Sequence, residues 1–120
     1  RRIAALYARE LRGVAAVITP AERGSVESAW HLYPIRLRDA RRRKEVFQKL
    51  RQAGIGTQVH YIPVYQQPYY QRRGYPQNNC PQAHAYYKAA LSLPIYPDLS
   101  PAEARRVART LKDILHGKAA

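Results

Sequence analysis

Methionine is absent from this sequence and cysteine occurs once. A lone thiol, Cys80, forms neither an internal disulfide nor a multi-cysteine metal cage, which fits a reducing compartment. A chain that opens at Arg1 without methionine reads as a piece of something longer or processed. No apolar run approaches the ~18 residues of a membrane span, and Arg1, Arg2, Glu10 and Arg12 leave no apolar core for a signal peptide. The expected location is the cytoplasm. Carboxylates are scarce: Asp and Glu number 8 against 21 Lys and Arg, for a net charge of +13. Asp39 and Glu103 are claimed by helix caps and Asp98 falls in a turn, so no acid–base pair emerges. His31, His60, His84 and His116 show no HExxH-type spacing and no cysteine company, which argues against zinc. Gly54 and Gly56 lack the third glycine and the strand-to-helix context of a phosphate cradle. No internal repeat or low-complexity tract occurs. From the residues alone no autonomous enzyme is visible.

What is present is enough apolar sequence for one core: 120 residues, 46% apolar and 24% charged, too short for two full domains. Positive charge gathers at Arg36 to Arg51, at Arg72-Arg73 and at Arg105 to Lys112. Such a field attracts phosphate-bearing partners, and a stand-alone basic nucleic-acid-binding module is one reading. The other reading of each cluster is a solvated helix face. No ribonucleoprotein aromatic motif, helix-turn-helix glycine turn or zinc-finger spacing supports the nucleic-acid reading.

Periodicity predicts the order α, β, α, β, α, β, α. Ile3, Leu6, Tyr7 and Leu11 recur at helical spacing before Gly13. Val14 to Ser28 reads as a loop. Ala29 to Leu37 reads as a strand in which Pro34 favours an edge or a bulge. Asp39 is expected to cap a basic helix to about Ala53, with Val46, Phe47 and Leu50 as its stripe and Gly54 as its stop. Gly56 to Pro63 is β-prone and breaks into turns at Pro63, Pro68 and Gly74. Pro81 suits the first turn of a helix to about Ala90, followed by an extended Leu91 to Pro97. Ser100-Pro101-Ala102-Glu103 is a capping box opening a helix whose buried side carries Val107, Leu111, Ile114 and Leu115. The fold class is therefore α+β, a small antiparallel or mixed sheet packed against helices.

One cluster carries chemistry: His60-Tyr61-Ile62-Pro63-Val64-Tyr65-Gln66-Gln67-Pro68-Tyr69-Tyr70, extended by Tyr75. An imidazole and several phenols on a loop leaving a strand end hydrogen-bond hydroxyls and stack on flat rings, as sugar and nucleotide sites require. Packing at the rim of a small core is the competing role for these tyrosines, above all Tyr69 and Tyr70.

The tract Gly54 to Pro63, then Pro68-Tyr69-Tyr70, Cys80-Pro81 with Ala83, and Ala90 to Pro97 closely resemble the C-terminal part of the DegT/DnrJ-type aminotransferases. Ser28 to Leu37 and the basic helix ending at Gly54 match in order too, so the resemblance runs from about Arg2 to Leu115. It implies the small C-terminal domain of a fold-type I aminotransferase, residues 1–120, without its catalytic N-terminal domain. It further implies pyridoxal phosphate in the full-length enzyme, a nucleotide-linked keto-sugar substrate, an amino donor such as glutamate, and a homodimer. The compact His60-Tyr61-Ile62-Pro63 form, without a longer insertion, is most similar to the subgroup aminating C4 of UDP-4-keto-6-deoxy-N-acetylhexosamine towards pseudaminic acid. By the same resemblance His60, Tyr61, Tyr65, Tyr69 and Tyr70 are the substrate-binding candidates, His60 and Tyr61 foremost. Tyr65 stands where the family often has a second histidine, and His84 where an acidic residue is common. No stretch matches the Schiff-base lysine, the aspartate on the pyridinium nitrogen or the phosphate loop, and Lys44, Lys49, Lys88, Lys112 and Lys118 lie in helical or terminal contexts. No catalytic, cofactor or metal residue is therefore expected within the chain.

Overall fold

Ile3, Leu6 and Tyr7 repeat every three to four residues, so in a helix they line one side. In the computed structural model, which describes residues 1–76 and 80–117, they form the buried stripe of α1 (Arg2–Glu10). Helix α5 (Pro101–Leu115) lies against α1 and buries Ala104, Val107, Ala108, Leu111, Ile114 and Leu115. Its start is fixed reciprocally: Ser100 Oγ accepts from the Glu103 N–H at 3.2 Å, and the Ser100 N–H donates to the Glu103 carboxylate at 2.8 Å. Hydrogen bonding to Ser100 holds the Glu103 carboxyl below the usual carboxylate range.

The sheet is antiparallel, in the order β1 (Val17–Ile18), β2 (Tyr33–Leu37), β3 (Ala90–Leu93). Tyr33, Ile35 and Leu37 of β2 and Leu91 and Leu93 of β3 turn inward to meet the helices, as the alternation of a strand requires. Three details depart from the sequence reading. The expected loop at 14–28 contains β1, which at two residues is too short to show any alternation. The expected strand at 29–37 begins only at Tyr33, because Trp30 sits at a left-handed φ of 51° and its N–H folds back on Ser28 Oγ at 3.1 Å. Pro34, expected at an edge or bulge, lies in the middle strand; β1 reaches only Leu37 and Arg36, so no ladder bond is denied on that side of Pro34.

Asp39 accepts the Arg41 N–H at 3.1 Å and starts a 3₁₀ turn, Ala40–Arg42, that leads into α2 (Arg43–Gln52). Val46 and Leu50 are buried, whereas Phe47 is half-buried beneath the Arg51 guanidinium, 5.7 Å from its ring. Gly54 ends the helix at φ 73°. The β-prone tract 56–63 shrinks to one bridge, in which Gln58 and Ser92 exchange both backbone hydrogen bonds, at 3.2 and 2.8 Å. Pro63 has no N–H, and Tyr61, Ile62 and Val64 are exposed rather than packed, so nothing extends the pairing further.

Much of the basic surface serves the fold. Arg42 donates to the carbonyls of Ile114 and Leu115 at 3.2 and 3.0 Å, capping α5, and Arg106 donates to the Ala53 carbonyl at 2.6 Å, capping α2. Cations at helix C-termini satisfy orphan carbonyls and complement the helix dipole. Among the described residues no helix is long and apolar enough to cross a membrane.

Candidate functional site

Alternation along β3 sends Leu91 and Leu93 into the core and Ser92 to the opposite face of the sheet. There Ser92 Oγ, in a residue only 5% exposed, lies 2.9 Å from His60 Nδ1. The half-buried His60 ring meets the Tyr61 ring edge-on at 4.6 Å, and Tyr61 is 70% exposed. The structure therefore brings the two foremost candidates together, one anchored on the sheet and one reaching into solvent.

Beyond them the chain builds a separate aromatic lobe from a 3₁₀ turn (Val64–Gln66), α3 (Pro68–Arg72) and α4 (Pro81–Ala89). The turns expected at Pro63 and Gly74 are there, but Pro68 opens the short helix α3 as its first residue. Tyr65 is buried, and its hydroxyl donates to the Cys80 carbonyl at 3.3 Å. Its own carbonyl accepts the Gln71 side-chain amide, which also donates to the Tyr75 carbonyl at 3.1 Å. Gln66 Nε2 lies 2.8 Å from His84 Nδ1 and joins the turn to α4. Tyr69, Tyr70 and Tyr75 form an edge-to-face row, with centroid separations of 5.2 and 5.4 Å, and the Arg73 guanidinium sits 4.8 Å over the Tyr69 ring. Tyr69 and Tyr75 are each about half exposed while Tyr70 between them is half-buried. Of the five candidates, Tyr65 works inside the lobe, Tyr70 bridges its neighbours, and His60, Tyr61 and Tyr69 offer polar or stacking surface outward. Ser92 was not among the expected site residues, because its link to His60 spans 32 positions and leaves no local signal.

A concavity of about 570 Å³ opens between the β1–β2 edge and α4, lined by Ile18, Leu37, Ala40, Pro81, His84 and Lys88 among others, and includes none of the five candidates. Among the described residues no three His, Cys, Asp or Glu side chains gather to hold a metal ion. Two phenols sit deep in the core, Tyr7 and Tyr33 with ring centroids 5.1 Å apart and Trp30 against Tyr33. Tyr7 donates to the Pro94 carbonyl at 2.8 Å, while the Tyr33 hydroxyl, like Thr57 Oγ1, is buried without a partner among the described residues. Burial pushes the Tyr33 phenol up to about 12 and raises Tyr7 further still.

The described lysines do not fit a pyridoxal phosphate held by this chain alone. Such a site needs an uncommitted amine to condense with the aldehyde and, across the ring, a separate carboxylate for the ring nitrogen. Lys49 is paired with Glu45 at 2.9 Å and Lys112 binds the Glu10 carbonyl at 3.3 Å. Lys44 and Lys88 are exposed, and the concavity that Lys88 lines has no carboxylate in its wall. Lys118 lies outside the described residues.

Residues 1–112 match the pattern of the DegT/DnrJ/EryC1/StrS aminotransferase family. The chain is 37% identical to the spore coat polysaccharide biosynthesis protein SpsC of Bacillus subtilis, over 96% of this chain and 31% of that protein. It is 32% identical to the dTDP-3-amino-3,4,6-trideoxy-alpha-D-glucose transaminase of Streptomyces venezuelae, over 92% of this chain and 29% of that protein. Among solved structures, the PLP form of Spr1654 from Streptococcus pneumoniae, described as a sugar aminotransferase, superposes with a TM-score of 0.91 at 28% identity. That match covers 99% of this chain and 31% of the other. The chain thus spans about a third of the length of the relatives it matches.

Proposed function

Because the chain belongs to the DegT/DnrJ/EryC1/StrS aminotransferase family, we propose that residues 1–120 are the C-terminal small domain of a pyridoxal-phosphate-dependent aminotransferase acting on a nucleotide-linked keto-sugar. The cofactor's lysine, its aspartate and the phosphate loop then belong to an N-terminal domain outside this chain. The observation that carries this reading is the anchored His60, held on Ser92 of the sheet with exposed Tyr61 against its ring, which the chain follows with a lobe whose Tyr69 and Tyr75 stand half exposed. That arrangement suits hydroxyl recognition and ring stacking.

When bound, the cofactor supplies the electron sink that lets an amino group pass from a donor such as glutamate to the sugar. This chain forms one wall of the cleft: His60 and Tyr61 contact the sugar-nucleotide, Tyr69 offers stacking surface braced by Tyr70, and Tyr65 stiffens the lobe behind them. The chain alone is inactive. The complete enzyme is a cytoplasmic homodimer serving surface polysaccharide or glycan synthesis, and it has no specific nucleic-acid partner. On the compact His60-Tyr61-Ile62-Pro63 tract, the substrate assigned is UDP-4-keto-6-deoxy-N-acetylhexosamine, aminated at C4 towards pseudaminic acid.

The test supplies the complete protein with pyridoxal phosphate, glutamate and that keto-sugar, and compares it with the 120-residue chain alone. The expected result is amino-sugar from the complete protein only. Turnover by the isolated chain, with one lysine trapped by borohydride, would overturn the division of labour. Turnover only with a keto group at another carbon would overturn the substrate assignment.

A further inference from the structure

We propose that Ser92 is a positioning residue for His60, fixing the imidazole with its proton on Nε2 and turning that N–H towards an oxygen acceptor of the sugar-nucleotide. The inference rests on the reading of His60 as a substrate contact. Ser92 is held firmly, since its backbone N–H and carbonyl are both engaged with Gln58 at 2.8 and 3.2 Å. Its hydroxyl is buried and meets one partner among the described residues, His60 Nδ1 at 2.9 Å. Two arrangements satisfy that distance. If Nδ1 carried the proton and donated to Oγ, the Ser92 hydroxyl hydrogen would be left buried without an acceptor, which is costly. If the hydroxyl donates to Nδ1, both groups are satisfied and the ring proton resides on Nε2. The second arrangement wins.

Nε2–H then has no partner among the described residues, while the ring is half-buried and braced edge-on by Tyr61 at 4.6 Å. A fixed, unpaired donor on a partly dry surface fits a sugar hydroxyl or a phosphate oxygen better than it fits solvent.

The experiment reads the His60 ring nitrogens by ¹⁵N spectroscopy of uniformly ¹⁵N-labelled chain at a pH where the imidazole is neutral. The wild type is expected to show a pyridine-type Nδ1 and a pyrrole-type Nε2. Ser92→Ala should move both signals towards the average of mixed tautomers, and Ser92→Thr should restore them, with the amide signals of Leu111 and Ile114, buried in α5, unmoved as the fold control. In the complete enzyme Ser92→Ala should lower kcat/KM about five-fold, the scale of one hydrogen bond, and add nothing to His60→Ala. A pyrrole-type Nδ1 in the wild type, or unchanged ring signals in Ser92→Ala, would overturn the positioning role; the first needs no variant to fold. Ring signals that respond as expected, with kinetics untouched by either substitution, would uphold the positioning and instead remove His60 from the substrate-binding surface.

Discussion

The two halves of this molecule are held together differently. In the core, α1, α2 and α5 enclose the inner face of the sheet, and Tyr7, Ile35, Val46, Leu50, Leu91, Leu111 and Ile114 are at most 1% exposed. In the lobe, Tyr61, Ile62, Val64, Tyr69 and Tyr75 stand largely in solvent, and its side chains are ordered by single hydrogen bonds such as Tyr65 to Cys80 and Gln66 to His84 and by the edge-to-face contacts of Tyr70 with Tyr69 and Tyr75. Apolar burial stabilises the first half in proportion to the area removed from water, whereas each lobe bond contributes only about 1 kcal/mol net. Large apolar side chains left exposed together mark a surface meant to meet something else. On the proposed reading the core carries stability and the lobe carries contacts.

The strongest way to break that division is to cut into the core. Leu91→Ala, at a fully buried position on β3, should cost about 2–5 kcal/mol and lower Tm by roughly ten degrees or more, on the order of 4–8 °C per kcal/mol for a domain this size. A drop of only a degree or two in a calorimetric scan would show that the sheet is not the centre of stability. Next in size is the α5 cap. Ser100→Ala removes the acceptor of the Glu103 N–H and should cost about 1 kcal/mol. The part carried by Glu103, whose carboxyl is held below its ordinary range, is present above that range and fades as pH falls through it, so the deficit of Ser100→Ala should narrow in acid.

Smaller again, and of opposite sign, is Tyr33→Phe. It deletes a buried hydroxyl without a partner, so at neutral pH denaturant unfolding should show no loss or a slight gain. Because the Tyr33 phenol is raised to about 12, its stabilisation is complete below the ordinary tyrosine value and is lost as pH rises through the folded one. The variant's stability should therefore fall less steeply than the wild type's above pH ~10. The smallest expected effect is on the lobe side: Tyr61→Ala, 70% exposed, should leave stability within about 0.5 kcal/mol. A large loss there would mean that the lobe is structural after all.

The same division explains what the sequence made legible. Helices α1, α2 and α5 announce themselves because their stripes repeat and their ends carry Gly13, Asp39, Gly54 and the Ser100–Glu103 box, all local signals. Strand β1 is invisible, since two residues have no periodicity and their pairing with Leu37 and Arg36 is decided across some 20 positions. The β-prone tract at 56–63 promises a strand on propensity, yet strand propensity reports packing, and Tyr61 and Ile62 have nothing to pack on. In the candidate site, chain proximity suffices to group His60 with Tyr61 and Tyr69 with Tyr70. It reveals neither that Tyr65 turns inward to Cys80 nor that Ser92 holds the imidazole, because both depend on how β3 and α4 return beside the loop.

The central claim, that the lobe and His60 serve recognition rather than stability, is met most directly by His60→Ala in the complete enzyme, with steady-state kinetics and thermal unfolding measured on one preparation. The expected result is a fall in kcat/KM worth about 1–3 kcal/mol of lost binding at a Tm within a degree or so of wild type. Unchanged kinetics with a Tm lowered by several degrees would contradict it, and would return His60 to the rim of the core as a packing residue.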